Sequence, residues 1–285
     1  MARERDENEP TEMLARPPRP ALRPFIRTLW AADAAGEPAS AGARELMVPA
    51  GTMHVAVRLS GPPLRVFRRV DDEVGRDVGL AVVGGARAGF YVRDVSRPVR
   101  SVGAELEPGA AALLLGVPAG ELAERHTPLD ELWGRAVEEA RERLDEARSL
   151  AERLDVFEAL LAARLPRVRA MHPAVAHALG RLHAGADVGA VAGETGYSHR
   201  RFLTVFRDAV GLGPKVYGRL LRLNSALRHL VTSPDATCAA VAAAAGYSDQ
   251  AHMTREFREL AGVTPGAYRA AAPASIRHVP VRGLG

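Results

Sequence analysis

The chain has 285 residues, a formal net charge of +4 and 47% hydrophobic residues. This length supports two cores of ordinary size. No apolar run reaches the ~20 residues that a membrane-spanning helix needs, and the single cysteine, Cys238, excludes an intrachain disulfide and a thiolate metal cluster. The charged start, from Met1 to Glu7, is unlike a secretory signal. We therefore expect a cytoplasmic protein without a membrane partner.

The first half of the chain predicts a tail followed by a sheet-rich domain. Proline and charge over residues 1–20 predict a disordered tail. Residues 21–166 carry short valine-rich segments separated by glycine and proline, which predicts an antiparallel sheet or small barrel. The strand segments are 53–59, 64–70, 78–83, 89–92 and 99–106. Flanking helices are predicted at 110–115, 118–125, 129–133, 135–147 and 150–165.

Residues 167–172 are interpreted as a linker, and an internal repeat follows. Gly196-Tyr197-Ser198 returns as Gly246-Tyr247-Ser248 at an offset of 50 residues, and one inserted residue then makes the offset 51. A repeat this long indicates one supersecondary unit built twice. The pairs at the second offset are Phe206 with Phe257, Gly211 with Gly262, Pro214 with Pro265 and Tyr217 with Tyr268.

Each copy predicts two short helices joined by a tight turn. Gly196 and Gly246 stand where a left-handed residue would end the first helix. Ser198 and Ser248 are predicted to cap the second helix, whose aromatic and methionine residues face inward and whose arginines face outward. This is the pattern of a helix-turn-helix, whose second helix lies in the DNA major groove.

The second copy resembles a known signature. The run GYSDQAHMTREFR, from Gly246 to Arg258, is closed by GVTPGAYR, from Gly262 to Arg269, and together they resemble the signature of AraC/XylS-type transcriptional regulators. The resemblance covers residues 173–269. It implies an all-α DNA-binding domain over 173–271, in which a long helix at 214–231 joins the two units, and a C-terminal tail over 272–285. With the predicted sheet, the fold class is α+β.

The resemblance also implies which side chains meet DNA. The recognition helices are predicted over 198–209 and 249–261, and they can enter successive major-groove segments about 34 Å apart. Arg201, Arg207 and Arg258 are expected at phosphates. The family often has a basic residue where this chain has Thr204. The positions that match base-reading ones are Arg200, Leu203, Thr204, Gln250, Ala251, Thr254 and Arg255.

The first domain resembles the sensory domains that precede AraC-type DNA-binding regions. The likeness rests on LGVPAGEL at 115–122 and PLDELWG at 128–134. Such domains are commonly small barrels that bind an effector or dimerise. The implied function is a sequence-specific DNA-binding transcriptional regulator without a cofactor. The implied partners are double-stranded promoter or operator DNA, a small-molecule effector, a second copy of the chain and RNA polymerase.

Catalytic and metal chemistry is weakly represented. No two early histidines are spaced as ligands on one strand or helix, so the sequence predicts no metal site and no enzyme. The histidines considered are His54, His126, His172 and His177. Asp71-Asp72-Glu73 is interpreted as a hydrated turn, and Gly84-Gly85 lacks the residues of a phosphate loop.

Three alternatives stay open. The arginines of the strand segments, Arg58, Arg65, Arg68 and Arg69, receive an acidic effector or simply face solvent on an exposed sheet. The N-terminal domain is alternatively an enzyme fused to a helix-turn-helix scaffold. The helical repeat is alternatively a protein-interaction module that has lost DNA binding.

Overall fold

The computed structural model describes residues 12–33, 42–165, 171–273 and 275–281. Within these ranges two antiparallel sheets with flanking helices precede a helical region, which confirms the predicted α+β class. No helix of the described ranges is long and apolar enough to cross a membrane. The strands are β1 (Glu12–Arg16), β2 (Ile26–Asp33), β3 (Arg44–Met47), β4 (His54–Arg58), β5 (Arg65–Phe67), β6 (Arg76–Asp77), β7 (Ala81–Gly84), β8 (Tyr91–Asp94), β9 (Ser101–Leu106), β10 (His126–Pro128) and β11 (His278–Pro280).

The helices fall into two groups. Those of the N-terminal domain are α1 (Ala111–Leu115), α2 (Ala119–Leu122), α3 (Asp130–Trp133), α4 (Ala136–Asp145) and α5 (Leu150–Arg164). Those of the C-terminal region are α6 (Pro173–His183), α7 (Val188–Glu194), α8 (His199–Val210), α9 (Pro214–Thr232), α10 (Cys238–Ala244), α11 (Gln250–Ala261) and α12 (Pro265–Ala271). Of the twelve helices in the described ranges, ten overlap a segment predicted from the sequence, and the other two, α6 and α12, lie within the predicted DNA-binding domain.

The larger sheet has the strand order β1-β2-β9-β4-β7-β10. Side chains alternate across a strand, so Val55 shares one face with its partners Val83 and Ala104. All three are fully buried. Helix α5 packs against β2 and β9 and buries Leu154 and Phe157. The apolar face of this sheet and α5 therefore build the core of the N-terminal domain.

The smaller sheet has the order β11-β3-β8-β5-β6. Its first strand, β11, comes from beyond the helical region. Val279 pairs with Leu46 of β3, and both side chains are fully buried. Arg277 reinforces the junction, because its Nη1 donates to Glu105 Oε1 on β9 at 3.2 Å. The predicted C-terminal tail thus includes a strand of the N-terminal domain.

The predicted disordered tail is wrong for residues 12–20, while residues 1–11 lie outside the described ranges. Strand β1 extends the edge of the larger sheet by pairing with β2. Arg16 Nη2 also contacts the carboxylates of Asp155 and Glu158 on α5 at 2.9 Å each. Glu158 is buried, and the backbone of Arg19 donates to it as well. These non-local contacts order a segment whose composition alone predicts a solvated tail.

Six strands lie outside the predicted strand segments, namely β1, β2, β3, β6, β10 and β11. Most are short, and their ladders join segments far apart in the chain, as β10 does with β7. Local alternation is a weak signal for such strands. The predicted linker at 167–172 falls largely on residues 166–170, outside the described ranges.

The N-terminal domain touches the helical region through a seam of small residues. Helix α2 packs against α8. A Cβ added at Gly120 would lie 3.2 Å from the carbonyl oxygen of Arg207, and one added at Gly211 would lie 3.1 Å from Ala86 Cβ. Asn224 of α9 adds a polar contact, since its Nδ2 donates to the Pro49 carbonyl at 3.3 Å. The two regions therefore approach each other closely along α8 and α9.

Candidate DNA interface

The structure forms both units of the repeat. Helices α7 and α8 make the first, and α10 and α11 make the second. The turns place Gly196 at φ +73° and Gly246 at φ +80°, the left-handed region that glycine adopts most easily. The predicted helix-turn-helix geometry is therefore present twice.

The capping residue differs between the units. Ser198 caps α8 as predicted, because its side chain accepts from the Arg201 amide at 3.3 Å. The prediction that Ser248 caps α11 is wrong. Asp249 is the cap, and its Oδ1 accepts from the His252 amide at 2.6 Å. This bond is the main reason why the pKa of Asp249 is lowered, so the cap is a carboxylate that also suits the positive end of the helix.

The cap locates the inserted residue of the repeat. Both recognition helices are 12 residues long, and their caps, Ser198 and Asp249, differ by the offset of 51. On the helices, therefore, Thr204 corresponds to Arg255, and His199 corresponds to Gln250. His199 is exposed at the first position of α8 and is not among the residues predicted from the sequence to contact bases. The offset of 51, applied from the first residue of the helix, pairs His199 with Gln250 and is the signal that could have found it.

The residues predicted to contact bases lie on the outward faces of α8 and α11. All are exposed apart from Thr254, which is half-buried. The hydroxyls of the two threonines are engaged within their own helices: Thr204 donates to the Arg200 carbonyl at 3.2 Å, and Thr254 donates to the Gln250 carbonyl at 2.8 Å. These bonds occupy the hydroxyl donors. The residues are Arg200, Leu203, Thr204, Gln250, Ala251, Thr254 and Arg255.

The inward faces belong to two separate cores. In the first unit Phe206 packs on Tyr217 with ring centroids 5.9 Å apart, inside a cluster formed by α6 to α9. In the second unit Phe257 packs on Tyr268 at 5.8 Å. That cluster continues without a break into the core of the N-terminal domain. The two halves of the repeat thus share a geometry but differ in what supports them.

A buried carboxylate fixes the second recognition helix to α9. Glu256 lies on the inward side of α11 and accepts from Arg219 Nε at 2.8 Å and from Arg222 Nη2 at 3.3 Å. The corresponding residue of α8 is Val205. The only sequence signal for this clamp is an acid among the apolar inward positions of α11. Since the clamp holds α11 through α9, it sets the angle at which the second outward face is presented.

Comparison with known proteins identifies this geometry. Residues 175–271 match a family model described as "Helix-turn-helix domain". HTH-type transcriptional regulator Rv1931c of Mycobacterium tuberculosis is 35% identical over 92 residues, which are 32% of this chain and 35% of that protein. The chain carries an AraC-type helix-turn-helix domain. It spans about a third of the length of the curated relative.

The chain is also similar to solved structures and, over its N-terminal part, to a second family model. The DNA-binding domain of AdpA, described as the global transcriptional factor and crystallised with a target DNA, is 36% identical over 34% of this chain and 87% of its own, with a TM-score of 0.31. ToxT from Vibrio cholerae is 8% identical over 91% of this chain and 97% of its own, with a TM-score of 0.44. Residues 15–128 match "Domain of unknown function (DUF6597)".

The arginines of the AraC-type domain divide into paired and free groups. Arg219 contacts Glu259 at 2.6 Å, and Arg181 contacts Glu194 at 2.8 Å. Within the described ranges, the outward arginines of α8 and α11 have no carboxylate within 4.0 Å. The free arginines of these two helices are Arg200, Arg201, Arg207, Arg255 and Arg258, all exposed; Arg228 of α9 is also exposed and has no such partner among the described residues. Free guanidinium groups are therefore concentrated on the two recognition helices.

The structure brings His54 and His126 together outside the AraC-type domain. Their rings lie 5.9 Å apart in the N-terminal domain. Burial lowers the pKa of His54 to about 4 and, with help from His54 and nearby arginines, that of His126 to about 2. Both are therefore neutral near pH 7. In the described part of the chain no group of three or more histidine, cysteine or acidic residues is placed to hold a metal ion.

The remaining histidine candidates lie at the start of α6, beside the first helix-turn-helix unit. The Tyr197 hydroxyl lies 3.3 Å from His172 Nε2, and His177 Nε2 lies 2.7 Å from Glu194. These contacts tie α6 to the turn and to α7, which gives both histidines a structural role.

Two further motifs have structural explanations. Asp72 accepts from the amides of Val74 and Gly75 at 3.1 and 3.0 Å, which confirms that the acidic run forms a turn. Gly85 is required for close packing, since an added Cβ would overlap the Leu122 carbonyl oxygen.

Among the arginines of the strand segments, Arg58 and Arg65 line one cleft, whereas Arg69 pairs with Asp71 at 2.9 Å.

Proposed function

We propose that this protein is a sequence-specific DNA-binding transcriptional regulator. The observation that carries the proposal is the pair of recognition helices, each with an inward apolar face and an outward polar face whose arginines have no carboxylate of the described residues within 4.0 Å. DNA phosphates and guanine edges are the natural partners of such guanidinium groups. The matching family model and the transcriptional regulator that shares 35% identity with this region support the same function.

The linking helix sets the spacing of the two outward faces. Helix α9 has 19 residues and is therefore about 28 Å long. We propose that α8 and α11 enter successive major-groove segments on one side of the DNA, about 34 Å apart. Such a monomer would read two half-sites separated by one helical turn.

Each outward residue has a proposed role. Gln250 pairs with adenine, Arg255 with guanine, and the methyl groups of Ala251 and Thr254 lie against thymine. Arg200, Leu203 and Thr204 read the first half-site, and we add His199 because it corresponds to Gln250. Arg201, Arg207 and Arg258 contact phosphates and orient the helices. Residues 173–271 are the DNA-binding domain in this proposal.

The N-terminal domain, extended by β1 and β11, has the proposed regulatory role. We propose that it binds a small-molecule effector or pairs with a second copy of the chain, and that the complex acts on RNA polymerase at promoter DNA in the cytoplasm. The close packing of α2 against α8 supports this role, because a conformational change in the N-terminal domain would shift a recognition helix.

The first test replaces Arg255. Arg255→Ala should cost about 1 to 3 kcal/mol of binding on the operator and relax base choice beneath α11, because a bidentate guanine contact is lost. Thr204→Arg should strengthen binding and sharpen base choice beneath α8, since Thr204 occupies the position in the first unit that Arg255 occupies in the second. Binding to a randomised operator library, with folding checked by circular dichroism, measures both effects. An unchanged sequence preference in folded Arg255→Ala would show that α11 does not read bases.

The second test separates phosphate contacts from base contacts. Arg207→Ala should weaken binding to all sequences alike and reduce the slope of log affinity against log salt by about one unit, since one phosphate contact is lost. Arg69→Ala is the control, because Arg69 is exposed on the N-terminal domain and pairs with Asp71. Titrations of operator and random DNA at several salt concentrations provide the slopes. A base-specific loss in Arg207→Ala would contradict the assigned role.

A further inference from the structure

Two loops meet at one end of the N-terminal domain, where the chain crosses between the sheets. Residues 59–64 join β4 to β5, and residues 95–100 join β8 to β9. The Leu59 amide donates to the Arg100 carbonyl at 2.8 Å, and the Arg100 amide donates to Ser60 Oγ at 2.9 Å. A cleft of about 210 Å³ lies against these loops and the adjoining strand ends. These hydrogen bonds between the loops make the cleft a defined feature of the fold.

The side chains of the cleft carry an excess of positive charge. Asp94 is already engaged, because its Oδ1 accepts from the amide and the hydroxyl of Ser96 at 2.8 and 2.5 Å. The one ion pair within 4.0 Å among the described charged groups of the cleft joins Arg65 to Asp77 at 3.9 Å. The cleft is lined by three guanidinium groups and two carboxylates, so these side chains have a net charge of +1. The charged lining residues are Arg58, Arg65, Arg97, Asp77 and Asp94.

Arg58 is the least exposed of the three arginines of the cleft. It is half-buried at the end of β4, and its Nη1 donates to the carbonyls of Pro62 and Pro63 at 2.8 and 3.3 Å. No carboxylate of the described residues lies within 4.0 Å of it. Burial, with the nearby Arg93 guanidinium, lowers the pKa of Arg58 to about 10. A charge held this way is stabilised by an incoming anion.

We propose that this cleft binds a small organic monocarboxylate that also carries a hydroxyl group. The carboxylate would lie on the planar forks of Arg58 and Arg97, a geometry that arginine offers and lysine does not. The hydroxyl would donate to Asp77, which accepts but cannot donate when ionised. The rings of Pro62 and Pro63 supply an apolar wall. One carboxylate balances the one positive charge in excess.

This inference rests on the proposed function, because it assigns the effector class of the regulatory domain. The cleft is connected to the AraC-type domain through the smaller sheet. Asp94 ends β8, which pairs with β3, and β3 in turn pairs with β11. A ligand at the cleft therefore contacts the sheet that holds the strand continuing from α12.

The test uses the full chain without DNA and glycerate labelled with ¹³C at its carboxylate. Broadening of the ¹³C resonance on addition of protein reports binding. Arg58→Gln and Arg97→Gln should each weaken the affinity by about tenfold or more, which is what one charge-assisted pair is worth. Because Arg97 is exposed, Arg97→Gln should leave the fold intact even if Arg58→Gln does not. Arg69→Gln is the matched control and should bind as the wild type does.

Competition identifies the recognised chemistry. Unlabelled glycerate should displace the probe, whereas glycerol and inorganic phosphate should not. Displacement by phosphate at equal concentration would overturn the assignment to a carboxylate, and absence of binding, or equal binding by all variants, would overturn the site itself. DNA binding is measured separately on the same proteins. If the protein binds the operator but not glycerate, this inference alone is rejected. If it binds glycerate but no DNA, the proposed function is rejected.

Discussion

Phe257→Ala should lower the free energy of unfolding of the whole chain by about 3 to 5 kcal/mol. Phe257 is fully buried, and the surrounding cluster continues into the core of the N-terminal domain. The cavity left by its ring therefore weakens both domains. Both tryptophans, Trp30 and Trp133, lie in the N-terminal domain. Urea unfolding followed by tryptophan fluorescence and by far-ultraviolet circular dichroism should shift together.

Phe206→Ala is the matched variant, because Phe206 is the corresponding residue and is equally buried. Its cluster is confined to α6 to α9. We expect part of the circular dichroism signal to be lost at a lower urea concentration than in the wild type. The midpoint of the tryptophan fluorescence transition should stay near that of the wild type. If Phe206→Ala shifts the tryptophan midpoint as far as Phe257→Ala does, the division into two cores is wrong.

Gly85→Ala should destabilise the protein by about 3 kcal/mol, at the upper end of what overpacking costs. The added Cβ would overlap the Leu122 carbonyl oxygen and lie 3.0 Å from that of Arg125. Both obstacles are backbone atoms, so no side-chain rotation relieves them. Because α2 ends at Leu122 and packs on α8, we also expect the first recognition helix to lose protection in hydrogen exchange.

Gly180→Ala provides the control for Gly85→Ala. Gly180 lies inside α6, and a Cβ there meets nothing within 4 Å. Alanine in a helix interior is favoured over glycine by roughly 0.5 to 1 kcal/mol, so this variant should be slightly more stable than the wild type. Chemical denaturation of both variants measures the difference. Equal stability of Gly85→Ala and the wild type would mean that α2 does not hold its close approach in solution.

The helical half could be predicted because its signals are local. The turn glycines, the inward phenylalanines and the start of α9 at Pro214 each depend on neighbours within one or two helical turns. The repeat also supplies every signal twice. The misplaced cap shows the limit of this reasoning: Ser248 and Asp249 are both good capping residues, and only the backbone geometry decides between them.

The N-terminal half was predictable in class but not in its strand pairing. Strands such as β4 and β9 alternate clearly, whereas β1 and β11 become strands through partners far away in the chain. Arg58, Arg65 and Arg97 likewise form one cleft only because two loops cross between the sheets at the same end. Sequence spacing carries no information on such contacts, since they depend on the topology of the sheets.

The position of β11 has a consequence for biosynthesis. The five-stranded sheet is begun by β3 and finished by a strand that is translated after every helix of the AraC-type domain. At ribosomal rates of about 5 to 20 residues per second, the edge of β3 waits on the order of ten to fifty seconds for its partner. During that time Leu46, fully buried in the finished protein, has no strand covering its edge. The N-terminal domain therefore reaches its final form only after the helices of the AraC-type domain have been made.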